Sequence, residues 1–509
     1  MIARANEQVM DIVLSCAAVL FAALLVFFLF KFCYQPFGLY KKYGIPGPTP
    51  LPFIGNFLLL RKLGVIGIPA YLRDKYGPVC GIYVGCRSFL IVADIDILKK
   101  VYVDNFEIFT EREVLPEFFN DAVGLPQGLF MARGNEWRRS RKAVAPAFSA
   151  KNMRMVASNI IKTCEKLSSE FQAHADSMES VQVNKLVEEF VMEGTVSMVF
   201  GDMGDSHNKE KKIFVKCAKE LWGAVDETTV TLLWFTLGHF PWMGKVIGLL
   251  MTFTSKGQYY RDLYRACSKM VTDTSTTVKK NKTIIQLLLE AEVEENGGSR
   301  KMTNKEIVSQ LITFLMAGLE TVSTTVSCTA YLLALNPDVQ QKAHEKIEAY
   351  FHSKPDASLL EVAQELEYME MVIQEALRFY PPAVGIGRLC NETIEINGVT
   401  IPAGVTVYGT VREIQRDPRY WHNPEKFIPE RFTAEEKAKR PSTVYMPFGV
   451  GPRNCVGARF AMLEVKMMLI QTLRTLKFVQ APDTQVPLKL MYRVSVSPSD
   501  GVSLRVASW

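Results

Sequence analysis

The sequence predicts a mainly α-helical protein with small β-sheets, carried on an N-terminal membrane-spanning helix. Three observations lead there. Apolar residues recur at three-to-four spacing around 155 to 172, 181 to 199, 256 to 292 and 305 to 350, while alternating, strand-like runs are short and few. Residues 12 to 30 carry no charge over nineteen positions, enough at helical rise to cross a hydrocarbon layer of about 30 Å. The stretch YMPFGVGPRNCVG, residues 445 to 457, sets a single cysteine in a tight loop just ahead of another helical pattern.

With 509 residues, 48% of them apolar, the chain can fill a substantial core. Its net charge of +6 is modest and unclustered, which gives no reason to expect a nucleic-acid partner. Ten cysteines lie far apart, with no C-x-x-C pair and no zinc-site spacing. A disulfide framework is therefore not expected, and a reducing compartment fits.

At the N-terminus a short stub, 1–11, precedes the expected anchor at 12–30. A cleaved signal peptide is the rival reading, but the apolar run is long for one and no clear small-residue cleavage site follows. Lys31, Lys41 and Lys42 come after the span, whereas Arg4 before it is offset by Glu7 and Asp11. That asymmetry makes the stub lumenal and the large C-terminal part cytosolic, so the sequons at Asn281 and Asn391 stay unglycosylated. Prolines 46, 48, 50 and 52 then favour extended backbone, so 31–52 reads as a basic, stiff hinge with a domain boundary near residue 50. Residues 53–509 form the expected catalytic domain.

Within that body, GIYVG and SFLIVAD suggest a hairpin between 80 and 94, and IEINGVTI turns at Asn397-Gly398 into a second. Trp137 and Arg141 stand at i, i+4 on one helix face, where an indole N–H and a guanidinium can reach one anion. The nearly uncharged run from Thr228 to Thr254 is interrupted by Pro241 and glycines, and reads either as buried core or as a membrane-facing segment bearing Trp234, Phe235 and Trp242. A capping box, Thr303 with Glu306, opens a helix in which Glu320 is the one charge between Ile307 and Leu335. Gln310 and many hydroxyl residues make it a long buried helix rather than a second span. Farther on, Glu375 and Arg378 stand at i, i+3, within ion-pair reach.

Around Cys455 the chain supplies turn residues, Gly449, Gly451 and Pro452, and then a helix from Ala458. Exposed N–H groups at a helix start favour an anion, so the thiol should ionise readily and could ligate any of several metals.

The pattern F-x-x-G-x-R-x-C-x-G, met by Phe448, Gly451, Arg453, Cys455 and Gly457, resembles the haem-binding loop of the cytochrome P-450 superfamily. The resemblance implies a cytochrome P-450 fold with haem b between a long central helix and the cysteine loop, and Cys455 as axial ligand to the iron. It further implies Trp137, Arg141, Arg388 and, on a weaker match, Arg112 as partners of the haem propionates, with Arg453 and Phe448 beside the cofactor. AGLETV, Ala317 to Val322, resembles the family's oxygen-binding helix: the Ala-Gly pair leaves room for dioxygen and Glu320 with Thr321 forms an acid-alcohol relay. Val322 replaces a frequent second hydroxyl. E-x-x-R followed by PERF resembles a buried structural set, here Glu375, Arg378 and Arg431.

Details of KYGIPGPTPLPF, LNPDVQQK and FGVGPRNCVGARFA are similar to the microsomal group containing steroid- and drug-oxidising monooxygenases and thromboxane-A synthase. The expected activity is monooxygenation of a lipophilic steroid, fatty acid or xenobiotic at the endoplasmic reticulum membrane, with O2 as co-substrate. No Gly-rich flavin or nicotinamide motif is present, so NADPH would act through NADPH-cytochrome P-450 reductase, with cytochrome b5 as an additional donor. A haem-thiolate isomerase of a prostaglandin endoperoxide is the rival, and Thr321 argues against it because such enzymes need no relay. A non-catalytic haem or lipid binder is the third reading.

Overall fold

The computed structural model describes residues 2–33, 35–112, 127–177, 179–201, 208–222, 227–240, 242–275, 283–295, 298–493 and 495–509. Asn281 and Pro241 lie outside these residues, as does the side chain of Trp234. Helix α1 (Ile2–Cys33) carries the apolar stretch Val13–Phe28 with its side chains exposed. The proline-rich stretch that follows lies against the sheet: the Pro46 carbonyl accepts the Gly81 N–H at 2.8 Å, and Tyr40 and Ile45 are buried.

Helix α2 (Phe57–Tyr76) leads into strands β1 (Val79–Val84) and β2 (Arg87–Val92). The helical body comprises α3 (Gly134–Val144), α4 (Ala150–Ser177), α5 (Val183–Phe200), α6 (Glu227–His239), α7 (Met243–Thr252), α8 (Ser255–Ser275), α9 (Ile284–Glu290), α10 (Asn304–Leu335), α11 (Pro337–Ser353), α12 (Glu367–Phe379) and α13 (Ala458–Leu473). Two of these divide what periodicity reads as one helix from 256 to 292. A capping box of Thr283 with Gln286 starts α9 afresh, satisfying its own first N–H groups. Likewise Asn336 leaves helical geometry and Pro337 opens α11, so the run from 305 to 350 is two helices.

The second half adds β3 (Ile386–Leu389), a hairpin of β4 (Ile394–Ile396) and β5 (Val399–Ile401), and β6 (Thr406–Gly409). Asn397 and Gly398 take φ of 51° and 78°, the left-handed pair that a tight hairpin of this twist demands. The main sheet runs β1-β2-β6-β3, with β2 and β6 parallel and the other pairs antiparallel. Near the C-terminus β7 (Leu476–Gln480) pairs with β10 (Ser503–Ser508), and β8 (Leu490–Tyr492) with β9 (Val496–Pro498).

The architecture is organised around α10. Its capping box is closed, with the Glu306 carboxylate accepting the Thr303 N–H at 2.7 Å and the Thr303 hydroxyl accepting the Glu306 N–H at 3.3 Å. Although long and apolar enough to span a bilayer, 72% of its most apolar window is buried in protein. Its hydroxyls spend themselves on the helix backbone: Ser323, Ser327 and Thr329 each donate to a carbonyl one turn back. Helices α4, α5, α8, α12 and α13 join α10 in the large apolar core, and a second core lies under the main sheet.

Gly318 has a packing reason. A Cβ there would sit 3.1 Å from Thr195 Oγ1 and 3.3 Å from its Cγ2, on α5. Its small size lets α10 and α5 approach. Gly318→Ala is expected to lower the urea midpoint, by about 1–2 kcal/mol in stability, and Thr195→Ala to recover most of it. An unchanged midpoint in the single variant would refute this account of the glycine.

Candidate active site

Cys455 sits where the backbone reverses. Gly449 and Gly451 both have φ of 73°, a left-handed conformation that costs other residues energy. The Cys455 N–H donates to the Phe448 carbonyl at 2.8 Å, and Asn454 N–H to that of Gly451 at 3.1 Å. At Gly451 even a Cβ would lie 2.0 Å from the Tyr102 carbonyl oxygen. Tyr102 in turn donates its hydroxyl to the Ile386 carbonyl at 2.7 Å and accepts the Gly409 N–H at 3.1 Å. One tyrosine thus seats the cysteine loop against β3 and β6.

On its other flank the loop is held from α12. The Glu375 carboxylate and the Arg378 guanidinium are fully buried and forked together, at 2.7 and 2.9 Å. Arg431 adds a contact at 3.2 Å, and the Ile428 N–H another at 2.9 Å. Arg378 also donates to the Gln415 carbonyl at 3.0 Å, and the Gln415 side chain accepts the Met446 N–H at 2.9 Å. A continuous polar path therefore runs from Glu375 to the first turn of the cysteine loop.

The Cys455 sulfur is reached by solvent, yet protein surrounds it on most sides, the situation of a group on the floor of a cleft. Burial pushes its thiol up, while the Gly457 N–H and the guanidiniums of Arg112 and Arg141 pull it down. The expected easy ionisation is thereby corrected: the helix start reaches the sulfur, but desolvation outweighs it. A metal ion would remove that penalty and hold the thiolate outright. Among the described residues no cluster of three or more His, Cys, Asp or Glu is placed to bind one, so a metal at Cys455 has to bring most of its own ligands.

Around the loop stand four arginines. Arg141 forks onto Asn454, to its carbonyl at 2.9 Å and its side-chain oxygen at 2.8 Å. Arg112 reaches the Arg453 carbonyl at 3.2 Å and stacks on Phe130 at 4.2 Å. Arg453 donates to the Ala132 carbonyl and lies over the buried Trp137 ring at 4.6 Å. Arg388 is buried over the Tyr102 ring and donates to the Gly387 carbonyl at 2.8 Å. Among the described residues the Nε atoms of Arg112, Arg388 and Arg453 are buried without a hydrogen-bond partner.

Burial, then Arg388 and Arg453, push Arg112 well down. Arg453 is pushed down to about 9, by burial first and by Arg388 next, with Glu111 opposing. A guanidinium keeps its proton in a protein, so these depressions measure a missing counter-anion. An anionic group with several acceptor oxygens fits this setting, and the two carboxylates of a haem meet the description.

Facing this is the middle of α10. Phe148 bridges the two sides: it would touch a Cβ on Gly457 at 3.6 Å and packs edge-on against Phe314 at 5.3 Å. One turn on, Ala317 is exposed, with Met316, Gly318 and Thr321 half-buried around it in the mostly buried middle of the helix, so the cleft opens there. The Thr321 hydroxyl donates to the Ala317 carbonyl at 2.8 Å. Glu320 turns the other way, buried, and accepts from the Ser497 hydroxyl at 3.2 Å. Burial pushes its carboxyl up, with Ser495, Arg493 and Ser497 opposing. Val322 points into the core. Tyr102, Phe130 and Ser497 carry no sequence signal; each meets the site from a distant segment.

A cysteine on the floor of a cleft, among arginines three of which keep a buried Nε without a partner among the described residues, and facing a helix opened at one small residue, fits the oxygen-activating haem-thiolate class. The chain matches the Cytochrome P450 family over residues 45–506, and it belongs to that family. It is 34% identical over 477 residues to "Cytochrome P450 3A29" of Sus scrofa and 32% identical over 478 residues to "Cytochrome P450 3A5" of Homo sapiens, in each case covering 92% of both chains. "Thromboxane-A synthase" of Macaca fascicularis is 30% identical over 503 residues, again 92% of each. The chain is thus an oxidoreductase of the haem-dependent monooxygenase family.

Replacing Glu375 by Ala is expected to strand two buried guanidiniums and cost about 3–5 kcal/mol of stability in urea unfolding. A variant as stable as the parent would rule out the buried set as a support of the loop.

Proposed function

We propose that the chain oxidises a lipophilic substrate with one oxygen atom of O2, using electrons from NADPH through a separate reductase. The observation that carries this reading is the pairing of an accessible Cys455 with an opened α10, where Ala317 is exposed and Thr321 borders the cleft. Arg112, Arg141, Arg388 and Arg453, with Trp137, would hold the propionates of haem b; Cys455 would be the axial ligand and Phe448 a wall. Bound there, haem supplies oxygen binding and reductive activation, with electron donation from the thiolate favouring O–O cleavage.

The protein's own task is then protons and exclusion of water. Ala317 keeps its side chain small where a diatomic ligand needs space. The Thr321 hydroxyl, bonded back to Ala317, needs one rotation about χ1 to aim its proton into the cleft. Glu320, one residue away, has its carboxyl pushed up by burial and is steadied by Ser497, which suits it to exchange a proton. We assign these two the relay.

The electron donor would dock on α3, which carries Arg138, Arg139 and Lys142 and reaches Asn454 through Arg141. NADPH-cytochrome P-450 reductase, with cytochrome b5 as additional donor, suits such a basic face. Residues 12–30 would anchor the chain in the endoplasmic reticulum membrane, with 1–11 lumenal, 31–52 as hinge and 53–509 cytosolic. Exposed Trp242, Leu249, Leu250 and Phe253 on and beside α7 support a membrane contact by the catalytic domain too.

The relative named thromboxane-A synthase supports a second reading, rearrangement of a prostaglandin endoperoxide, which needs neither O2 nor reductase. Purified protein mixed with an endoperoxide, without NADPH or reductase, should leave it unchanged. Rapid rearrangement would overturn the monooxygenase reading. In a second measurement the reduced carbon-monoxide complex should show the red-shifted Soret band of thiolate ligation, and Cys455→Ser should lose it; an unaltered band in the variant would exclude Cys455 as ligand.

A further inference from the structure

About two helical turns before Ala317, α10 is gripped by a segment from much earlier in the chain. Gln310 is buried, and its side-chain oxygen accepts the Leu129 N–H at 2.9 Å. At Thr313 the backbone of that segment comes so close that a Cβ on Gly128 would lie 2.0 Å from Thr313 Oγ1 and 3.2 Å from the Ser309 carbonyl oxygen. Thr313 is itself fixed, its hydroxyl donating to the Ser309 carbonyl at 2.9 Å. Gln310, Thr313, Ala317 and Thr321 stand at i, i+3, i+7 and i+11, so one face of α10 carries both the grip and the opened turn.

From Gly128 the segment turns sharply and crosses to the cysteine loop. The Met131 and Ala132 N–H groups both donate to the Gly128 carbonyl, at 3.0 and 2.8 Å. The carbonyl of the buried Ala132 then accepts from Arg453, and the Phe130 ring carries the Arg112 guanidinium at 4.2 Å. Arg112 closes the set by donating to the Arg453 carbonyl at 3.2 Å. Two of the arginines whose buried Nε atoms lack a partner among the described residues, Arg112 and Arg453, thus rest on residues 130–132. The stretch 128–132 is a brace between α10 and the cysteine loop. Its attachment at Gln310 is hard to undo, because a buried N–H stripped of its acceptor costs more than the bond itself contributes. Groups that receive a ligand work best when the shell behind them is fixed in this way.

We propose that Gln310 is a positioning residue for the cofactor: through the 128–132 brace it sets where Arg112 and Arg453 stand relative to the opened turn of α10, and so how firmly the haem propionates are held. This rests on the haem-thiolate reading of the site. Gln310 acts through Leu129 and the two arginines rather than by contact with the cofactor, and Gly128 is the small residue that lets the brace reach α10.

Transfer of haem from the full-length, haem-loaded protein to excess apomyoglobin, followed by absorbance, tests it. Gln310→Met keeps the shape of the side chain but removes the acceptor, and should speed haem loss about 10-fold, the effect of one buried N–H left unpaired. Gln340→Met is the matched control: Gln340 is also buried and accepts the Phe478 N–H at 2.7 Å, but it ties α11 to β7. It should lower the urea midpoint and leave the rate of haem loss at that of the parent. Gly128→Ala attacks the same brace from its other side and should speed haem loss as Gln310→Met does; adding Thr313→Ala should recover most of the parent's rate. The proposal is overturned if Gln310→Met releases haem as the parent does, or if Gln340→Met speeds release equally, because a loss of general stability would then suffice. Should Gln310→Met fail to fold, the Gly128 pair decides: parent-like release from Gly128→Ala, or no recovery on adding Thr313→Ala, overturns it. The reduced carbon-monoxide spectrum of the parent separates the two levels. A thiolate band with equal release rates rejects only this inference, whereas the absence of that band rejects the haem-thiolate reading and this inference with it.

Discussion

One buried carboxylate holds the site together. Glu375, at the centre of α12, accepts from Arg378, Arg431 and the Ile428 N–H, so that a helix, a loop and the 429–432 turn share one negative charge. Because Arg378 and Gln415 pass the contact on to Met446, the cysteine loop inherits its position from this knot. Burying such a set is expensive unless every group is matched, and here the matching is nearly complete. The penalty for loosening it is what gives the loop one position rather than several.

On the other flank of the loop the opposite condition prevails. Arg112, Arg388 and Arg453 have buried Nε atoms lacking partners among the described residues, and beyond burial Arg388 depresses both Arg112 and Arg453. The same residue type closes one network and leaves the other open. An open network of this sign suits an anionic cofactor, and burial raises the Cys455 thiol beside it.

The central helix carries a related compromise. Hydroxyl residues of α10 serve the backbone, Gly318 meets α5, and in its middle the helix faces open space around Ala317 and Thr321. The capping box of Thr303 and Glu306, the Asn397-Gly398 turn and the membrane-length apolar run were all legible, because each depends on residues a few positions apart. The split of 256 to 292 was not: apolar period continues across it, and the break comes from a local cap at Thr283. The contact of Gly318 with Thr195 on α5 was not legible either, because it joins residues 123 positions apart.

By itself the sequence determined the class of fold, the position of the apolar N-terminal stretch, the thiol on its glycine-built loop and the pairing potential of Glu375 with Arg378. These follow from spacing along one chain, where helical period and turn chemistry act over fewer than ten residues. Only the tertiary structure decided whether charges are matched. That Arg378 is satisfied and Arg453 is not, that burial raises the Cys455 thiol against the pull of its helix, and that Arg493 faces Glu320 from 173 positions away all depend on which distant segments share a volume without water. Desolvation and pairing are properties of that volume, and no local pattern of residues records them.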